Sequence, residues 1–209
     1  AQVTRALQAV SASKVRKAMQ AVTNTRPYAT KAWQVLTHIA GQPGRESLHP
    51  LLTHHKQVNN VLVLLVTGDR GLAGAYTTNI VRFTLNKFGN YSVPVSYITV
   101  GRKGRDLMFR RGEKVIAEFS KLPPAPTFAD VSAIGRMAVT EFLEEATDEV
   151  YLVYTDFVNM VTQVPTVKKL LPLELGEGTG RVQDFARTDQ APSSYIYEPG
   201  QTDILDEIV

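Results

Sequence analysis

Three groups of residues in this 209-residue chain have the type and spacing to do chemistry. The first is a glycine-punctuated run after six consecutive apolar residues, Val61 to Val66, with Gly68, Gly71 and Gly74 leading into Tyr76-Thr77-Thr78-Asn79. Backbone N–H groups at the start of a helix that follows such a turn are suited to holding an anion. The spacing fits neither phosphate motif. A phosphate loop needs Lys-Ser/Thr after its second glycine, where this chain has Leu72-Ala73 or Ala75-Tyr76. A dinucleotide fingerprint needs glycines two and then three apart and an acidic residue roughly 20 positions on. Here the next apolar run, 93–100, ends in Gly101-Arg102-Lys103 with no acid. The expectation is therefore structural: Gly68 and Gly71 permit positive φ in a tight turn, and Gly74 lets the following helix pack closely on the strand.

The second group comprises acids and histidines. Asp69-Arg70 in the glycine turn reads as a buried pair or as an acid beside its orienting cation. Asp156, in Tyr154-Thr155-Asp156-Phe157, follows an apolar run where α/β enzymes place catalytic groups, but no histidine or nucleophile lies near it in sequence. A turn or cap is the plainer role. His54 and His55 are adjacent, point to opposite sides of an extended segment and cannot share a metal ion. With His38 and His49 they read as exposed loop histidines, and no zinc signature is present. Glu144-Glu145 and Asp148-Glu149 read as a solvated helix end.

The third group is basic: Arg5, Lys14, Arg16 and Lys17 in the first helix, and Arg102, Lys103 and Arg105 after the glycine turn, with Arg110-Arg111 beyond. A solvated face accounts for most of these. The first cluster differs, because the helix that carries it is long enough to overhang its own domain and could be steered toward an acidic protein surface. No aromatic residues are interleaved with these charges, and the formal charge of +3 is small, so nucleic acid is not expected as a partner.

These groups must be positioned by recognisable elements. Residues 1–40 read as one helix, with Val3, Leu7 and Val10 and then Val15, Met19 and Val22 forming a narrow seam of the coiled-coil kind. Alanines at 6, 9, 12, 18 and 21 favour the helix. Pro27 would end or kink it near Arg26. A connector, 41–60, follows. From 61 to 200, strands (61–66, 93–100, 114–119, 150–155) alternate with helices (about 74–88, 102–111, 128–146) in the order of a mostly parallel α/β sheet. Residues 159–173 read as an exposed strand whose Pro165 suits an edge. Residues 174–194 read as a loop and Tyr195 to Tyr197 as a short strand. Residues 201–209 open a further helix. No cysteine is present, which excludes disulfides and thiolate metal sites.

In order along the chain stand TRALQAVSASKVRKAM (4–19), RPYA (26–29), HPLL (49–52), VTGDRGLAGAYTTN (66–79), GRKG (101–104), YTDFVNMVTQVPTVKKLLPL (154–173) and YIYEPGQTDILDEI (195–208). Together they resemble the γ subunit of F-type ATP synthases, over nearly the whole chain. Ala73 stands where that family often has Cys. The resemblance implies a Rossmann-like α/β domain plus a long N-terminal coiled-coil helix, in a fragment lacking the first residues and the C-terminal helix. It implies a bacterial central-stalk rotor at the cytoplasmic face of the inner membrane. The implied partners are the α and β subunits of the catalytic hexamer, the ε subunit and the membrane c-ring. No cofactor, metal or catalytic residue of its own is implied. Arg5, Leu7, Val10, Lys14, Arg16 and Lys17 are the expected contacts to the hexamer and the paired shaft helix. The competing expectation is an α/β nucleotide-binding enzyme domain with its site at Gly68–Gly74 and Asp156.

Overall fold

The computed structural model describes residues 2–40 and 50–173, with the side chains of the first helix described at residue 5 and from 8 to 36. The expectations for 41–49, the 174–194 loop, the strand at Tyr195 to Tyr197 and the helix from Gln201 lie outside the described residues, as do the side chains of Val3, Leu7 and His38.

Helix α1 spans Gln2–Ala40, 39 residues, and runs through Pro27 without ending. Five strands follow: β1 (Val61–Val66), β2 (Val95–Val100), β3 (Lys114–Phe119), β4 (Glu149–Phe157) and β5 (Gln163–Leu171). They are interleaved with α2 (Tyr76–Phe88), α3 (Arg102–Arg110) and α4 (Phe128–Leu143). The sheet order is β3-β2-β1-β4-β5. The first four strands are parallel, and β5 joins antiparallel to β4 as an edge, the position that Pro165 requires.

Strand β1 is central and covered on both faces, which is why its sequence does not alternate. Val61, Val63 and Leu65 pack with Ile80, Val81 and Phe88 of α2 and Met108 of α3. Leu62 and Leu64 face the other way, onto Ala138 and Phe142 of α4, Leu51 and Leu52 of a short 3-10 turn, and Leu36 of α1. Trp33 and Val35 pack against this second cluster, so the last turns of α1 form part of the core.

The glycines divide their work differently from the sequence expectation. In the turn after β1 the left-handed backbone falls at Leu72 (φ 61) and Gly74 (φ 56), while Gly68 and Gly71 are not in that region. A Cβ on Gly74 would meet nothing within 4 Å, so it serves the turn and not helix packing. The close approach is made by Gly101 and Gly104. At Gly101, with φ 106, a Cβ would stand 2.5 Å from the Thr67 carbonyl oxygen. A Cβ on Gly104 would run into the Thr67 side chain. The start of α3 thus sits directly against Thr67, just past β1, with no side chain of its own at Gly101 and Gly104.

Asp148 and Glu149 are not a solvated helix end. Asp148 is buried at the start of β4, and its carboxylate accepts the backbone N–H groups of Asn59 (2.7 Å) and Asn60 (2.9 Å) and Nδ1–H of His55 (2.5 Å). His55 is therefore no free loop histidine: its ring stacks on Phe142 with centroids 5.4 Å apart. Glu149 accepts from Lys169 of β5 at 2.7 Å and from the Tyr151 hydroxyl at 2.9 Å. These partners lie 20 or more residues away from their acids except for Tyr151, so local charge pattern does not reveal them. Glu144 and Glu145 are exposed.

Two consequences are measurable. Gly101→Ala meets both a backbone clash and a strained φ and is expected to cost about 2–4 kcal/mol in urea unfolding, whereas Gly74→Ala, strained but unobstructed, costs about 1 kcal/mol. Burial alone would raise the Asp148 carboxyl, but the bonds from His55, Asn59 and Asn60 hold it below the ordinary range. Its stabilising contribution is complete above the unfolded value near 3.9 and is lost as pH falls through the lower folded value. Asp148→Asn should flatten the acid limb of a stability-against-pH curve and cost about 1–3 kcal/mol at pH 7.

Candidate functional site

The carboxyl ends of β1 and β2, where an α/β fold would hold a nucleotide, are occupied by the chain itself. The Asp69 carboxylate accepts the N–H of Arg102 at 3.0 Å through one oxygen and that of Lys121 at 2.7 Å through the other. The N–H of Lys103 donates to the Gly68 carbonyl at 3.1 Å, and that of Gly104 to the Thr67 hydroxyl at 3.0 Å. The first three N–H groups of α3, the ones that would cradle a phosphate, are therefore all engaged. The backbone bond from Arg102 is the main influence that lowers the Asp69 carboxyl below its ordinary value, so it stays ionised at neutral pH.

An open cleft of about 370 Å³ remains beside this cap, lined by Asp69, Arg70, Gly71, Arg102, Lys103, Arg105 and Asp106. Arg105 is committed to Asp106 (2.7 Å) and to Glu118 on β3. Asp69 and Arg70 do not form the buried pair that their adjacency suggests: Asp69 caps α3 and Arg70 is exposed. Asp156 does not line this cleft either. It lies within β4, not in a turn, and pairs with Arg26 of α1. Among the described residues, no group of three or more His, Asp or Glu side chains is placed to hold a metal ion.

A second candidate surface is the first half of α1. Val10, Val15 and Val22 are 53%, 45% and 41% exposed, so among the described residues much of the apolar seam is uncovered. Arg5, Lys14, Arg16 and Lys17 are exposed on the same half. The helix carries Arg26 and Lys31 as well, and no Asp or Glu precedes Glu46. At 3.6 residues per turn, Lys14 and Arg16 point about 160° apart, and Arg5 and Arg16 nearly coincide. The four cations thus spread over about half of the circumference and do not form a narrow stripe. Leu7 belongs to the same seam by spacing, its side chain outside the described residues.

The second half of α1 is held. Arg26 donates to Asp156 Oδ1 at 3.1 Å and to the Phe157 carbonyl at 2.9 Å. One turn and more beyond, Lys168 of β5 lies over the Trp33 ring at 5.8 Å and near the Tyr154 ring at 6.0 Å, and burial pushes its ammonium pKa down. Leu36 then enters the core. Sequence reasoning missed Arg26 and Lys168 because their partners are supplied by β4 and β5. The one available signal was a cation on the face of α1 leading to Trp33.

This geometry defines a class before it defines a family: a Rossmann-like body whose helix N-terminus is already capped, carrying a long cationic helix that projects beyond it. A family model described as ATP synthase matches residues 1–209. The ATP synthase γ chain of Pelotomaculum thermopropionicum is 36% identical over 208 residues, covering 100% of this chain and 70% of that one. The γ chain of Desulfitobacterium hafniense is 38% identical over 205 residues, covering 98% of this chain and 68% of that one. In fold, the chain is similar to a structure of the central stalk and c-ring of Tetrahymena thermophila mitochondrial ATP synthase, with TM-score 0.67 and 22% identity, covering 99% of this chain and 85% of that one. It is also similar to the rotor of Euglena gracilis mitochondrial ATP synthase, with TM-score 0.58 and 18% identity, covering 99% and 71%. The chain belongs to the ATP synthase γ-chain family.

The capped turn makes two expectations testable. Titrating the chain with ATP or ADP in a calorimeter should give no saturable heat; a stoichiometric site would restore the nucleotide-binding alternative. Asp69→Ala strands the N–H groups of Arg102 and Lys121 and should cost about 1–3 kcal/mol of stability.

Proposed function

We propose that this chain works as the rotating shaft that couples proton-driven rotation to ATP synthesis or hydrolysis in a hexamer of alternating α and β subunits. The carrying observation is the first half of α1, a helix with exposed cations over about half of its circumference, no carboxylate and an exposed apolar seam. A helix of 39 residues reaches roughly 58 Å at 1.5 Å per residue, longer than a domain of this size is wide. Apolar surface of that extent is buried by a partner in a stable assembly. Charge on half of the circumference suits an asymmetric shaft, because rotation then brings cations and bare helix in turn to face a given acidic surface.

In this reading the shaft is asymmetric, and its differential contacts bias three equivalent catalytic sites among open and closed states. Leu7 and Val10 make apolar contacts on the seam, and Arg5, Lys14, Arg16 and Lys17 face acidic stretches of β. Arg5 and Arg16 are the two that act together, being on one side of the helix. Gly68, Gly71 and Gly74 belong to a structural turn. The α/β body sits beside the c-ring and binds ε. The fold similarity to the Tetrahymena central stalk with its c-ring and to the Euglena rotor supports this arrangement. The chain itself performs no chemistry and needs no cofactor or metal, the nucleotide being handled by the partner subunits. Bacterial γ chains as relatives support a place at the cytoplasmic face of the inner membrane, as a peripheral part of the complex.

Co-expression of the protein at its full native length with α and β subunits, followed by native mass spectrometry, tests this. One copy per three α and three β is expected; a chain that stays apart from the hexamer overturns the reading. Reversing Arg5, Lys14, Arg16 and Lys17 together to Glu should weaken assembly or lower ATP made per proton by several-fold at low salt, with part of the loss masked at high salt. Unchanged assembly and coupling would remove the electrostatic part.

A further inference from the structure

Where α1 passes from its free half to its held half, three features that weaken a helix fall within five residues. Pro27 has no N–H to donate to the Thr23 carbonyl, so one rung of the helical ladder is missing. The Thr23 hydroxyl donates back to the Met19 carbonyl at 3.0 Å and the Thr25 hydroxyl to the Ala21 carbonyl at 2.7 Å. Back-bonding of this kind loosens and bends helices. In this stretch Arg26, next to the proline, reaches the sheet with two bonds, to Asp156 and to the Phe157 carbonyl at the end of β4. Trp33, packed against the core, lies roughly 10 Å farther along the axis.

We propose that Thr23–Pro27 is the compliant joint of the shaft and that Arg26 is its brace, clamping the weakened turn to β4. The inference rests on the rotor reading above. The Arg26 side chain is 36% exposed and that of Asp156 23%, and pairs this exposed add little to global stability. Their effect falls instead on local stiffness. With the brace closed, the free lever begins at Arg26; with it open, the lever begins at Trp33 and includes the proline. Arg26 is a positioning residue: it sets the angle and stiffness with which the sheet domain hands its rotation to the free half of α1. Both bonds leave one nitrogen, Nη2, whose two N–H groups reach the carboxylate and the carbonyl.

The test uses the assembled complex, with the hexamer locked by a non-hydrolysable nucleotide and a bead attached to the α/β domain. The variance of the bead's angle reports the torsional compliance of the shaft. Arg26→Gln is expected to raise that variance about 1.5-fold or more, and Asp156→Asn by less, since the Phe157 carbonyl remains. In a Pro27→Ala background, which restores the missing rung, the same Arg26→Gln change should have little effect. A purely stabilising ion pair would give equal increments in both backgrounds, and that result, or unchanged variance in Arg26→Gln, overturns the brace. Arg26→Lys keeps the charge and part of the bonding and serves if the glutamine variant does not assemble; a wild-type variance there also overturns it. Failure of the wild-type chain to enter the hexamer sinks the rotor reading itself, whereas a wild-type complex that rotates beside unaffected variants sinks only the brace.

Discussion

One helix is at once the projecting element of this molecule and a wall of its core. Trp33, Val35 and Leu36 close the face of the sheet that Leu62, Leu64 and Ile98 present, and the same backbone continues outward to carry Arg5 and Val10 into solvent. This sharing constrains everything else. A helix tethered by a loop would point in many directions, and its orientation would cost conformational entropy on every encounter with a partner. A helix whose final turns are packed leaves with a fixed direction. The core therefore does more than stabilise the domain: its close packing, which tolerates little rearrangement, is what aims the free half.

The sheet end shows how a fold associated with nucleotide binding is turned to another purpose. The parallel strands, the glycine turn and the helix N-terminus are all present, and their electrostatics favour an anion. The chain supplies that anion itself. Asp69 reaches from the turn after β1 to the start of α3 and to Lys121 beyond β3, so one carboxylate ties together the ends of three strands. With Gly101 and Gly104 seated against Thr67, the space a phosphate would need is taken up by backbone. The result is a rigid junction where an enzyme would keep an opening, and rigidity is what a body that transmits force requires.

Much of this was legible from sequence, and the division has a physical cause. Strand β1 was readable because burial on both faces removes alternation, and β5 was readable as an edge because Pro165 cannot serve a central ladder. The overhang of α1 was readable because a narrow seam on so long a helix has too little apolar surface to be a core element throughout. What failed were judgements that needed a partner distant in the chain. Asp148 looked like one more charge at a helix end until His55, Asn59 and Asn60, some ninety positions earlier, were placed around it. Asp156 looked like a turn residue because Arg26 lies 130 positions away. The glycine roles were exchanged for the same reason. Left-handed backbone at Leu72 carries a strain that nothing in its residue type announces, and the closest contact belonged to Gly101 and Gly104, after the next strand.

The candidate site was the least legible part, because its function is mechanical. Catalytic groups betray themselves by converging, and a metal site by the spacing of its ligands. A shaft needs neither. What it needs is surface that stays uncovered, charge distributed around an axis, and a stiff connection at its base, and each of these resembles ordinary solvated helix when viewed residue by residue. Lys14 and Arg16, about 160° apart, carry little meaning as a pair. They acquire it once the helix is seen to project from a body whose own anion site is closed. In a molecule of this kind function is read from the relation between elements, and under the proposed reading α1 is the lever and the β4–β5 edge, where Arg26 and Trp33 meet it, is its mount.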